Sequence, residues 1–272
     1  MTSLAGMLVA AAVCPHPPLL LPAVAAGAAS ELDQLRGACR QAVSALARAT
    51  PDLLVVVGAA DRPWHGAVPG QLAAGQHPAG VPAPPPTRPE PEPYTEYPSG
   101  SVGTLRGYGV AYQTTLGPGS HPPEPAAELP LSLTVAGWLL QDAGWTTPLV
   151  GVAVHPDAAP GQCRSLGQRL AARADRTALL ALGDGSARRD QRSPGWAHER
   201  AVPHDDAVAA ALAGVDLVAL DRLDAAEAAE LMAGGRAAWQ VLAGAAAGAG
   251  LRGEQLAYES RYGVAYHVAS WT

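Results

Sequence analysis

Four short apolar runs, each followed at once by turn-forming residues, set the architecture of this chain. They cover 8–13, 53–57, 149–154 and 178–182. A run of this length without polar alternation is typical of a strand buried on both faces of a sheet. Apolar residues at helical spacing separate most of these runs, which indicates crossover helices between parallel strands. We therefore predict one α/β domain over 1–272, with a mostly parallel or mixed central sheet and helices on both faces.

The remaining elements are predicted from the same periodicities. The segment 108–115 alternates like a strand, and 255–259 and 262–268 are predicted as two strands joined by a turn. The proline-rich segment 60–100 is predicted to be a long loop insertion: a lid, a binding element or a disordered stretch. The predicted helices are 27–49, 130–142, 160–174, 204–213, 224–233 and 235–247.

Composition and charge exclude several classes of protein. Hydrophobic residues make up 48% of the 272 residues, which is too many for a disordered chain. The formal charge is −6 and no basic cluster occurs, so we expect no nucleic-acid partner. No apolar run reaches the roughly 18 residues of a membrane span, so no membrane association is expected. The three cysteines lack metal-ligand spacing and indicate reduced thiols in a cytoplasmic protein.

The ends of the predicted strands hold the residues best suited to chemistry. His16 follows the first strand within Cys-Pro-His-Pro-Pro, where the prolines stop the strand. Asp61, His155 and Asp184 follow the other three runs, and Glu259 lies near the C-terminal turn. Ligands of open α/β sheets bind at the carboxyl ends of the strands, so these positions predict a small-molecule site.

Several motifs occur in an order that points to one superfamily. They are His-Pro-Pro after the first strand, Leu-Pro-Leu-Ser-Leu at 129–133, Gly-Asp-Gly-Ser at 183–186 and Tyr-Glu-x-x-Tyr-Gly-Val-x-Tyr at 258–266. Together they resemble the catalytic chains of the class III extradiol ring-cleavage dioxygenases, whose superfamily also includes metal-free relatives. The resemblance extends over most of the chain, and the proline-rich insertion is its least similar part.

The resemblance implies a specific metal site. Active members hold one non-haem Fe(II) with two His and one Glu and leave positions open for a catecholate and O₂. His16 matches the first His, and Glu259 is the best match for the carboxylate. Asp184 lies in the segment that contains the acid–base His of active members. Zinc or manganese are alternatives to iron, and a homodimer is expected by analogy.

The chain departs from this pattern at two positions. The second His ligand of active members falls where this chain has 58–61, so Asp61 or His65 would have to supply the third donor. Ala187 stands at the acid–base position, and an alanine cannot transfer a proton. His121, His155, His198 or His204 would have to act in its place.

Two hypotheses for function lead, and a third, hydrolysis by an acid–base pair such as His16 and Asp184, is open without specific support. The first is a metal-dependent oxidoreductase that acts on a small catechol-like aromatic compound. The second is a catalytically inactive relative with a degenerate metal site that binds a small molecule or a partner protein. Among the other polar residues, His267 is expected to face solvent on the last strand. Arg189 is expected in a solvated loop with the neighbouring arginines.

Overall fold

A mixed sheet forms the centre of the fold. The structure, a computed structural model, describes residues 6–61, 92–118 and 127–272. Within these residues, seven strands form the sheet in the order β3-β6-β2-β7-β1-β9-β8, and β4 pairs with β5 in a separate hairpin. The strands are β1 (Met7–Cys14), β2 (Leu53–Ala59), β3 (Tyr94–Pro98), β4 (Val102–Thr104), β5 (Gln113–Thr115), β6 (Leu149–Val154), β7 (Arg176–Leu182), β8 (Gly253–Arg261) and β9 (Val264–Trp271).

The direction of the strands determines which residues meet. β6, β2, β7 and β1 run parallel, so their carboxyl ends lie at one edge of the sheet. β9 pairs antiparallel with β1, and β8 pairs antiparallel with β9. The turn between β8 and β9 therefore reaches the same edge as the ends of the parallel strands.

Helices cover both faces of the sheet, as predicted. They are α1 (Pro22–Ala25), α2 (Asp33–Arg48), α3 (Leu131–Asp142), α4 (Pro160–Ala171), α5 (Ala201–Gly214), α6 (Leu217–Asp221), α7 (Ala225–Glu230) and α8 (Arg236–Ala245). Alternate residues of β7 point to opposite faces: Leu180 packs with the side chains of α2 and α3, and Leu179 packs with those of α4 and α8. Each face is therefore buried in its own apolar core, which explains the uninterrupted apolar runs.

Some predicted boundaries are wrong. The helix predicted over 27–49 begins only at Asp33, because a 3₁₀ segment occupies Ala26–Leu32. Most of the strand predicted over 108–115 is a turn and irregular chain, and only Gln113–Thr115 pairs. The predicted loop 60–100 contains β3, which pairs antiparallel with β6. Residues 62–91 of that segment lie outside the described part of the chain.

In the described segments, no helix is both long and apolar enough to span a membrane.

Candidate functional site

Polar residues of neighbouring strands lie at the carboxyl edge of the sheet. His16 follows β1 and Asp184 follows β7, while Glu259 lies on β8. Tyr266 on β9 connects them, because it pairs with Glu259 in the β8–β9 ladder and forms a backbone bridge with Asp184. Because β1 ends at Cys14, it does not separate the residues after β7 from β9, and Asp184 can pair with Tyr266 past the end of β1. We call His16, Asp184, Glu259 and Tyr266 the strand-end site.

A hydrogen bond joins the first two residues of the strand-end site. The backbone N–H of His16 donates to Asp184 Oδ1 over 2.8 Å, and His16 Nδ1 lies 3.8 Å from the same oxygen. The two side chains are only 12% and 18% exposed. His16 Nδ1 is buried and has no hydrogen-bond partner among the described residues. The backbone at His16 is therefore fixed by Asp184, and the imidazole Nδ1 is a buried polar atom that no described residue satisfies.

Glu259 is only partly satisfied by its neighbour. Its Oε2 accepts from Arg261 Nε over 3.3 Å, the surface pairing that a residue two positions away allows. Its Oε1 is buried and has no partner within the described segments. A buried carboxylate oxygen without a donor is unfavourable, because it has lost water and gained no hydrogen bond.

Tyr266 ends the Tyr-Glu-x-x-Tyr-Gly-Val-x-Tyr motif, but the sequence did not predict it as a candidate site residue. It is buried in the core on the α2–α3 face, where an aromatic residue on a strand is expected for packing alone. Burial raises its pKa most, and the negative charges of Asp184, Tyr262 and Glu259 raise it further. The phenol therefore lies within electrostatic range of both carboxylates of the strand-end site, and it stays protonated at neutral pH.

The other predicted site residues lie elsewhere or have local partners. Asp61 is exposed, and its Oδ1 accepts from the backbone N–H of Leu131 at the start of α3. His155 is 47% exposed, and its Nδ1 accepts from the backbone N–H of Asp157. Neither side chain is joined to His16 by any contact in the structure. His65 and His121 fall outside the described residues.

A second polar cluster lies on the opposite face of the sheet, where the sequence predicted a solvent-facing histidine. That prediction is wrong: His267 is 1% exposed and stacks on Tyr258, with 4.9 Å between ring centroids. Trp239 meets the same imidazole edge-on at 5.6 Å. β9 is an interior strand covered on both faces, so alternation along it does not bring any side chain to solvent.

The prediction of a solvated Arg189 is also wrong. Its Nη1 bonds Asp205 Oδ2 over 3.0 Å and Tyr258 Oη over 2.7 Å. Asp205 is fully buried, and its Oδ1 accepts from the backbone N–H of Ser186 over 2.8 Å. A Cβ at Gly185 would lie 2.6 Å from that Oδ1, so only glycine fits there. Asp205 and Gly185 together fix the loop that positions Asp184.

The described donors do not fit a centre of two His and one carboxylate. Among the residues described, no group of three His, Cys, Asp or Glu side chains is arranged to hold a metal ion. His16 is the one imidazole at the strand-end site, and Ala59 ends β2 where the resemblance places the second ligand. Asp61, the alternative donor, bonds the start of α3 instead. The carboxylates and the single imidazole can still form hydrogen bonds with an organic ligand.

Comparison with known proteins supports the fold. No family model and no curated protein matches the chain. Solved structures do match, among them the crystal structure of the uncharacterized protein JW3007 from Escherichia coli K12. The two chains share 13% sequence identity, and the match covers 97% of this chain and 99% of that one with a TM-score of 0.51. At this identity the likeness shows a shared α/β architecture across the chain.

Proposed function

We propose that the protein binds a small hydroxylated compound at the strand-end site, without an iron centre of the extradiol type. The two unpartnered buried atoms, His16 Nδ1 and Glu259 Oε1, are the observation that supports it. Buried polar groups in folded proteins are hydrogen-bonded in the great majority of cases. A ligand that bonds both atoms would complete the site.

The chemistry of these atoms selects the ligand. An ionised Glu259 accepts hydrogen bonds only, so the ligand must present a donor to Oε1. The imidazole of His16 donates or accepts, depending on its tautomer. Asp184 and Glu259 give the site negative charge, which favours a neutral ligand with hydroxyl groups over an anion. A catechol-like ring, with two adjacent hydroxyls, meets both requirements.

The resemblance to extradiol dioxygenases supports the position of the site but not the reaction. His16, Asp184 and Glu259 occupy the matching motifs, yet 58–61 contains no His where the resemblance places the second ligand, and Ala187 stands at the acid–base position. An alanine supplies neither a metal ligand nor a proton carrier. We therefore propose the ligand-binding function ahead of a metal-dependent oxidoreductase.

Titration calorimetry on metal-free protein tests this proposal. Catechol is the probe, and 1,2-dimethoxybenzene, which lacks hydroxyl donors, is the control ligand. Glu259→Gln replaces one Glu259 oxygen by an amide, and a hydrogen bond to a charged group is worth about 1.5–3 kcal/mol, so the affinity for catechol falls roughly 10- to 150-fold. Asp61→Asn is the matched control, because Asp61 is joined to the start of α3, and its affinity stays unchanged.

Metal analysis decides between the two hypotheses. Iron, zinc and manganese are measured in protein purified without oxygen, for the natural sequence and for His16→Ala. Stoichiometric metal that disappears in the variant, together with oxygen uptake on addition of catechol, would overturn the proposal in favour of a non-haem oxidoreductase. Absence of catechol binding in every form would also refute it.

A further inference from the structure

A cavity adjoins the strand-end site on the side of α7 and α8. Its volume is about 280 Å³. Ala59 at the end of β2 and Pro156 after β6 form one wall, and residues of α7, the following turn and the start of α8 form the rest. A methyl group built on Gly234 would lie 3.8 Å from His16 Cε1, so the imidazole is at the rim. We call this space the Arg236 cavity.

Of the described residues that line the cavity, Arg236 is the one that carries a charge. Its side chain is 2% exposed, yet all its hydrogen-bond partners are neutral oxygens. Nη1 donates to Gln240 Oε1 over 2.7 Å, and Nη2 donates to the carbonyls of Ala158, over 2.8 Å, and Pro156. In the described segments, Arg236 forms no ion pair. A buried guanidinium without a counter-charge is electrostatically unfavourable, so an anion in the cavity would stabilise it.

The start of α8 adds to the positive potential of Arg236, and the two carboxylates of α7 are paired with Arg200. Arg236 begins α8, whose N-cap Gly235 offers no side-chain oxygen to the first N–H groups of the helix. The free N–H groups of this first turn carry the partial positive charge of the helix dipole. The carboxylates of the neighbouring α7, Glu227 and Glu230, form ion pairs with Arg200. Arg200, and not Arg236, therefore balances the charges of these two carboxylates.

We propose that the Arg236 cavity binds a small organic carboxylate. Arg236 and the start of α8 bind the carboxylate group, and the side chains of Ala59, Ala229 and Met232 pack against an apolar body. The volume lies just below the roughly 300–1,000 Å³ range of ligand pockets, which limits that body to about one ring. This proposal is independent of the hydroxylated ligand proposed above, because it depends on Arg236 and not on Glu259.

Calorimetric titration with benzoate tests the proposal, with benzyl alcohol and benzylammonium as neutral and cationic probes of the same size. Benzoate is expected to bind with a dissociation constant of about 1 mM or lower, and the other two at least tenfold more weakly. Ala229→Leu fills the cavity from an exposed position and weakens benzoate at least tenfold. Ala226→Leu is the matched control, since Ala226 is also exposed on α7 but does not line the cavity.

The variants separate this proposal from the previous one. Glu259→Gln leaves benzoate affinity unchanged while it weakens catechol, so failure of either proposal shows in its own probe. Arg236→Gln removes the charge, and its fold is checked by circular dichroism before titration. If it folds and still binds benzoate with full affinity, the proposal is wrong. Equal binding of benzyl alcohol, or an unchanged affinity in Ala229→Leu, would also overturn it.

Discussion

The backbone N–H of His16 donates to the carboxylate of Asp184, 168 positions later in the chain. This bond joins the ends of two neighbouring parallel strands, and a second bond from Gly183 N to Cys14 O reinforces it. Asp184 therefore fixes the turn that places the imidazole, in addition to any contact with a ligand.

Replacement of Asp184 measures this bond. Asp184→Ala leaves the His16 N–H without an acceptor and is expected to lower the free energy of unfolding by about 1–3 kcal/mol. Asp184→Asn keeps an acceptor oxygen and should cost less than half as much. Urea unfolding of the two variants provides the comparison. Equal losses would show that charge, and not the hydrogen bond, determines the stability.

Two adjacent glycines before α8 should respond very differently to alanine. A methyl on Gly235 would lie 2.1 Å from the indole of Trp239, whose ring is fully buried. Gly235→Ala therefore forces the core apart and costs about 1–3 kcal/mol. A methyl on Gly234 meets His16 at ordinary contact distance, and Gly234→Ala should change stability by no more than about 0.5 kcal/mol. Thermal unfolding of both variants tests the difference.

Asp205 is expected to be the most sensitive polar residue outside the strand-end site. Asp205→Ala removes the partner of a mostly buried Arg189 and the acceptor of the Ser186 N–H, and should cost about 3–5 kcal/mol. Asp206→Ala, an exposed neighbour on α5, should cost no more than about 1.5 kcal/mol. Denaturant unfolding measures both. A small loss in Asp205→Ala would contradict the role assigned to this network.

Tyr258 should ionise late. Burial raises its pKa to about 12, and its hydrogen bond to Asp206 acts in the same direction. Because the folded pKa lies above the ordinary value of 10.0, Tyr258 contributes stability that is fully present below pH 10 and is lost between pH 10 and about 12. Difference titration of tyrosinate absorbance between the natural protein and Tyr258→Phe isolates this group. If the difference signal, which reports the Tyr258 phenol, titrates near pH 10, the expectation is wrong.

The thiols should be unreactive in the folded protein. Cys14, Cys39 and Cys163 are buried, and burial raises the pKa of Cys163 to about 11. The neighbouring thiol of Cys14, followed by burial, raises the pKa of Cys39. A thiol reagent at neutral pH should modify none of them until denaturant is added and should then modify all three. Rapid modification of one thiol in native protein would show an opening that the structure lacks.

The elements that could be predicted from the sequence are those marked by a pattern within a single short segment. β1, β2, β6 and β7 were predicted because a strand buried on both faces leaves a uniform apolar run. The start of α3 was predicted because proline favours the first turn of a helix. The signal failed for β3, since an exposed edge strand beside a proline-rich segment has no apolar run.

The site was predictable only as a set of strand ends. The proximity of His16 and Asp184 was predictable because parallel strands align their carboxyl ends, and their role as site residues stays a prediction. Tyr266 and His267 were not recognised, because their roles depend on the position of β9 between β1 and β8. Strand order is a long-range property, and periodicity within one segment carries no information about it. Asp205 was missed for the same reason, since its partners lie on the β7–α5 connection and on β9.

The interior position of β1 in the sheet also has a kinetic consequence. Its two neighbours, β7 and β9, are synthesised long after it, and β9 comes near the C-terminal end of the described chain. β1 therefore emerges from the ribosome with both edges unpaired, and both stay unpaired until β7 and β9 have been synthesised. Sheets built from such distant pairings fold slowly and expose apolar edges meanwhile. We therefore expect the nascent chain to depend on chaperones, although the apolar edges of β1 are covered in the folded protein.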